Sequence, residues 1–297
     1  MWLPLAAATG LAGPLTLGPA LSTLAGPCLD DPTCADLWGK QVSEAVLETT
    51  YALVHEPVMS SAFGGRGMGL NVEAQVGTLP LGPRNDVQRT YPVIPAVPTL
   101  AVGWHLGSYT YETPYPEVAI GVHGLPPNSV AGVSSWALGG TASVAFPLSR
   151  LVWIGGEAAW NTSSLRVPIV MSMSTTDLTV PCSGQACKDS LLQHTPSGRL
   201  AMSLEPAPAW FLYGKVGLTA AVQEVRMVDG TRLSDAPVLP EIAAGTGIRA
   251  GDRFQLAVGM TSAAAPERST TGSPWMTRIV ASTGVRFGDA RYHEGVE

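Results

Sequence analysis

Ten stretches of this chain alternate, residue by residue, between apolar and polar or small side chains, and every charge in them falls on one parity. In the first stretch Leu70, Val72, Ala74 and Val76 alternate with Asn71, Glu73, Gln75 and Gly77. A period of two is that of a β-strand, whose successive side chains point to opposite faces. The pattern returns around Val102, Ile120, Leu138, Ile154, Met202, Val216, Ala244, Val258 and Ala281. Glu73, Glu117, Glu157, Glu205, Glu241, Arg199, Lys215, Arg249, Arg278 and Arg286 all lie on the polar parity. A lipid-facing Arg or Lys near the membrane midplane costs roughly 2–4 kcal/mol, so a membrane sheet must sort its charges in this way.

A soluble sheet would also alternate, with its apolar face on a core and its polar face in water. Here the polar parity is rich in Gly, Ala, Ser and Thr, and the whole chain has three lysines, Lys40, Lys188 and Lys215. That composition suits a narrow enclosed lumen better than a solvated surface. Most stretches approach the ~9–11 residues that a tilted membrane strand needs. Connections that read as short, at 147–150, 206–210 and 250–253, alternate with long ones at about 79–97, 125–133, 167–197, 226–239 and 264–275. The expected fold is therefore all-β: a transmembrane, antiparallel, up-and-down β-barrel of about ten strands, with eight or twelve as the neighbouring counts. An even strand number puts both barrel termini on the short-turn, periplasmic side.

The remaining composition narrows the class further. Only 13% of residues are charged, and Gly and Pro number 33 and 25, which excludes a long helical bundle. A net charge of −6 gives no basic footprint for nucleic acid. Residues 1–27 carry no charge and read as a signal peptide. Residues 28–66 are expected to form a periplasmic segment with one short amphipathic helix between Ala35 and Glu56, closed by Pro57, that could cap or plug the barrel mouth. The barrel is expected over 67–288, followed by a tail, 289–297. Cys28 with Cys34 and Cys182 with Cys187 each bracket turn-forming residues, which reads as two local disulfides in an exported protein. Zinc would need ligands from two distant segments, and neither pair has the usual spacing.

Trp104, Trp136, Trp160, Trp210 and Trp275, with Tyr109, Tyr115 and Tyr213, fall near strand ends, where aromatic girdles sit. His105 and His123 lie on the inward parity of adjacent strands and could share a site with Glu117, as a pH-sensitive or metal-binding pair. As lumen hydrogen-bonders they would have a purely structural role. The chain contains no Gly-x-Ser-x-Gly and no His-Glu-x-x-His. The ten charges on the polar parity read first as a ladder of ion pairs filling a small barrel, then as a selectivity device lining a pore, and last as catalytic groups.

The segment Ser282-Thr283-Gly284-Val285-Arg286-Phe287 resembles the final strand of bacterial outer-membrane β-barrel proteins, in which a terminal aromatic is read by the assembly machinery. Phe287 matches that aromatic and Gly284 the small residue before it; the ten residues from Gly288 to Glu297 depart from the pattern. The stretch Pro57–Leu70, through Phe63-Gly64-Gly65, resembles the lead-in to barrels of myxobacterial and related proteins. The resemblance spans residues 57–288 and is architectural, so it carries over no functional residue. It implies a bacterial outer-membrane location, with membrane lipid, the barrel-assembly machinery and proteins of an envelope complex as partners. The expected function is non-enzymatic and needs no cofactor or metal: a narrow channel, or a structural or assembly component of the membrane. An outer-membrane hydrolase built on His105 or His123 and a soluble exported β-sandwich or adhesin are the alternatives.

Overall fold

A computed structural model describes residues 33, 47, 51, 53–56, 69–78, 96–106, 116–130, 133–149, 151–168, 188–207, 209–226, 232–251, 253–264 and 274–288. Its strands are β1 (Gly69–Thr78), β2 (Ala96–Leu106), β3 (Glu117–Val130), β4 (Val133–Pro147), β5 (Val152–Pro168), β6 (Lys188–Ala207), β7 (Trp210–Ala220), β8 (Val222–Arg226), β9 (Arg232–Asp235), β10 (Val238–Ala250), β11 (Phe254–Ala264) and β12 (Trp275–Gly288). All pairings are antiparallel, in the order β5-β4-β3-β2-β1-β12-β11-β10-β7-β6, and β5 pairs with β6 to close the ring. The barrel thus has ten staves. β8 and β9 pair with each other and continue β7 and β10 beyond the ring. The break falls at Ala221, whose N–H donates to the Pro237 carbonyl at 2.8 Å, opposite a residue that can donate nothing to a ladder.

The register fixes the barrel's dimensions. Cross-strand partners lead from Gly69 through His105, Ala119, Ser143, Glu157, Arg199, Gly217, Glu241 and Ala263 to Met276. The β12–β1 register, with Val280 opposite Gly77, returns this line to β1 twelve positions beyond Gly69. Ten strands staggered by twelve tilt at about 40° and hold the backbone at a radius of about 10 Å.

The faces sort as the alternation requires. Asn71, Glu73 and Gln75 are buried inside, while Val72 and Val76 are exposed outside. Leu200, at 69% exposure, neighbours Arg199 at 4%. A soluble sandwich is excluded, because the apolar parity of the staves covers no core and faces outward as a continuous band. Trp104, Phe146, Trp210, Phe254 and Phe287 mark its lower edge at the short-turn end, and Trp136, Trp160 and Trp275 its upper edge. The polar tips are satisfied: Trp210 Nε1–H donates to Thr246 Oγ1 at 2.7 Å and Trp160 Nε1–H to Thr162 Oγ1 at 3.0 Å. On β4 the span from Trp136 to Phe146 is ten residues. At ~3.3 Å per residue and ~40° tilt this is about 25 Å of height, the thickness of an outer-membrane band. The chain is an outer-membrane barrel.

Several expectations need correction. Residues 125–133 are not a long loop: β3 runs to Val130 and meets β4 after two residues. The connection at 167–197 shrinks to 169–187, because β5 and β6 keep pairing from Glu157↔Arg199 to Pro168↔Lys188. Half of the stretch 226–239 belongs to β8, β9 and β10. In each case polar or proline-containing strand ends read locally as loop: Pro196 is held in the ladder opposite Trp160, and Pro126 falls at an irregularity between Leu125 and Asn128, after which the β3–β4 ladder resumes. Tyr213 is no girdle residue. It is 5% exposed and points inward, on the parity of Lys215. Tyr109, Tyr115, the four cysteines and the segments 1–27 and 289–297 lie outside the described residues.

Candidate functional site

The site is the barrel interior, and the largest surprise in it comes from outside the barrel sequence. Tyr51, Leu53, Val54, His55 and Glu56 are all buried within the ring. Leu47 and Tyr51 are helical, and the chain has left the helix by Leu53. Residues 53–56, expected in a helix at the periplasmic mouth, are thus an irregular segment at membrane depth. Tyr51 packs with Ala221, Leu239, Ala263 and Met276, and Leu47 leans on the same cluster. These are strand-end residues at the loop end: Ala263 is next to last in β11, and Met276 and Leu239 are second in β12 and β10.

A helix end leaves carbonyls without partners, and a buried one must find donors. Arg278 supplies them. Its Nη1 donates to the Tyr51 carbonyl at 3.1 Å and the Val54 carbonyl at 2.6 Å, and its guanidinium lies 4.8 Å from the centre of the Tyr51 ring. One cation so placed caps the turn and opposes the negative end of its dipole.

Four residues further along, His55 Nδ1 and Thr99 Oγ1 share a hydrogen bond of 2.8 Å, and its ring stacks on His123 at 4.6 Å between centroids. The Glu56 backbone pairs with a single side chain: its N–H donates to Gln75 Oε1 at 2.9 Å, and Gln75 Nε2 donates to its carbonyl. Segment and barrel wall thereby mimic one rung of a sheet.

The Glu56 carboxylate completes an ionic layer at mid-lumen. Lys215 Nζ lies 2.8 Å from Glu56 and 3.0 Å from Glu157. Arg199 reaches Glu157 at 2.9 Å, Glu241 at 2.8 Å and Glu56 at 3.5 Å. Thr219 Oγ1 donates to the second oxygen of Glu241 at 2.5 Å. The layer exists because Glu157, Arg199, Gly217 and Glu241 share one partner line across four strands. Gly217 lies between the two acidic strands, and a Cβ there would stand 2.7 Å from Arg199 Cγ. The missing side chain gives the Arg199 stem its path from Glu157 to Glu241.

Nearer the short-turn end the lumen is filled differently. Trp153, Phe211 and Tyr213 are buried with Ala145, Ala201 and Ala257. The Tyr213 ring lies across β10 and β11, where a Cβ on Gly245 would stand 2.5 Å from its Cζ and one on Gly259 would meet its hydroxyl. Arg249 sits 5.0 Å from the Phe211 ring centre and bonds Glu205 at 3.1 Å.

Of the other charges singled out in the sequence, Glu73, Glu117 and Arg286 are buried in the lower half of the interior. The histidines are not brought together. His105 pairs with Ala119, whereas His123 stands opposite Ala101, four residues further up β2, or about 13 Å. Glu117 is six residues from His123 on the same strand, about 20 Å away. The connection 107–116 is also ten residues long, not a tight turn. Of the His105 side chain nothing is described. Among the described residues no group of three or more His, Cys, Asp or Glu is placed to hold a metal ion.

No protein-family model and no curated protein matches the chain. Among solved structures it is similar to the β domain of the Bordetella autotransporter BrkA, at 11% identity over 75% of this chain and 100% of that one, with a TM-score of 0.42. It is also similar to the Pseudomonas putida toluene transporter TodX (9%, 81% and 73%, 0.37) and to the Yersinia pestis attachment invasion locus protein Ail (8%, 74% and 99%, 0.35). At these values the likeness adds nothing to the ring of strand pairings, on which the assignment of the fold rests.

Proposed function

We propose that this chain is a non-enzymatic structural barrel of the outer membrane, self-plugged rather than open. The observation that supports this most is the seat of Glu56, a carboxylate of the N-terminal segment held between Arg199 and Lys215 at mid-lumen. A ten-stranded ring is slightly too wide for wall side chains alone to fill, since eight strands already suffice for that. Tyr51 and residues 53–56 occupy the excess. The ten wall charges then act as an ion-pair ladder that keeps the ring and the segment together, and the apolar exterior band with its aromatic edges holds it in membrane lipid. The exposed Phe287 at the end of β12 suits recognition by the barrel-assembly machinery. Against the hydrolase reading stands the separation of His123 from Glu117, six residues or about 20 Å along β3.

Conductance in planar bilayers tests the plug. The intact protein should be silent, and Glu56→Gln should give openings, because it removes the carboxylate's charge while leaving the segment's packing. Steady conductance from the intact protein would overturn the closed-barrel reading in favour of a narrow channel.

A further inference from the structure

The route of the N-terminal segment through the ring has a direction. Tyr51 lies among residues at the loop end of β7, β10, β11 and β12. Glu56 lies at mid-strand, beside Gln75, Arg199 and Lys215. Gly69 then opens β1 at the short-turn rim, opposite Gly288 at the end of β12. Read from N to C, the chain therefore descends from the loop end towards the short turns. Leu47, one helical turn before Tyr51, packs on the loop-end cluster. A ring of about 10 Å backbone radius, lined by inward side chains, leaves room at mid-lumen for one chain and not for a second passage back.

We propose that the residues ahead of Leu47 leave the barrel at its loop end, so that the barrel anchors its own N-terminal segment and displays it on the outer surface of the cell. This replaces the periplasmic placement of 28–46, including the Cys28–Cys34 pair, that the sequence order suggested. It rests on the positions of Leu47, Tyr51 and residues 53–56 and on the ring, and not on whether the lumen conducts. The attachment is non-covalent as well as covalent: Arg278 on the turn carbonyls and the Arg199–Lys215 grip on Glu56 resist withdrawal in either direction. An exposed stretch bearing Asp30, Asp31, Asp36 and Glu44 against one Lys40 would present an acidic surface to whatever it meets outside.

Surface shaving of cells carrying the unmodified protein tests this directly. Lys40 is the first Lys or Arg in the chain, so trypsin acting on the segment releases a fragment ending there. The yield of that fragment from intact cells should equal the yield after the outer membrane is permeabilised. Its appearance only after permeabilisation overturns the proposal. A second measurement does not depend on trypsin: an epitope inserted after Thr33, compared with one inserted between residues 176 and 177 in the loop-end connection and one appended after Glu297. Heat-modifiability on gels confirms that each variant is a folded barrel. Antibody on intact cells should bind the Thr33 epitope together with the loop epitope. Binding that instead follows the C-terminal epitope overturns the proposal. A leaky barrel with a surface-exposed Thr33 epitope would sink only the closed-barrel reading.

Discussion

Strand β7 crosses two layers of the lumen that are built on opposite principles. Its lower half carries Phe211 and Tyr213, large rings laid across glycines of β10 and β11. Its upper half carries Lys215, Gly217 and Thr219, which serve the ionic layer. The aromatic layer is complete within the wall: ring and glycine hollow come from neighbouring strands. The ionic layer reaches beyond the wall: its two cations face the wall carboxylates Glu157 and Glu241 and also hold a third, Glu56, whose segment no strand pairing holds. Space can be filled locally by matching large to small, whereas buried charge must be matched wherever its partner can be found. The difference explains why the N-terminal segment is seated at the level of the charges and not lower.

Three substitutions probe that contrast. Arg199→Met should have the largest effect, because it removes the Arg199–Glu241 ion pair and leaves Lys215 as the cation facing Glu56 and Glu157 in a water-poor interior. Breaking a buried pair costs about 3–5 kcal/mol. The temperature at which the detergent-solubilised barrel loses its compact gel mobility should fall sharply, and an unchanged value would mean that the layer is solvated. Gly259→Ala should cost less, about 1–3 kcal/mol, by overpacking against the Tyr213 hydroxyl. Here the self-contained layer makes a sharper claim: adding Tyr213→Phe, which removes the atom in the way, should restore most of the loss. Failure of that rescue would show that the ring is free to move aside. Smallest is Glu224→Gln on β8, beyond the ring, where Glu224 bonds an Arg226 that is 53% exposed. Such pairs contribute under about 1 kcal/mol, and the melting of the barrel should not register the change.

Much of the wall was legible in the chain itself. The alternation places Leu200 outside and Arg199 inside without any reference to a neighbour, because a strand's side-chain period is a property of its own backbone. Where the signal was composite it misled. Tyr213 was read as a girdle aromatic from its place near a strand end, although its parity with Lys215 already pointed inward. The tips of β3, β5 and β6 were read as loop because prolines and polar residues weaken the apolar parity beyond the membrane band, where lipid no longer demands it. The residues of the site are half visible in the chain: five glutamates and five bases on one parity declare an interior ladder, but not who meets whom.

Local sequence, then, determined the strands, their two faces and a count close to ten, since each depends on interactions within a few residues. Tertiary structure alone decided the rest. Which charges meet depends on the register of every pairing around the ring, and a stagger of twelve sets Glu157, Arg199 and Glu241 on one line. That Tyr51 and residues 53–56 enter the lumen depends on the diameter left after the ring closes and on a carboxylate the closed wall can hold. No periodicity within His55-Glu56-Pro57 encodes either quantity, because both belong to the ring as a whole.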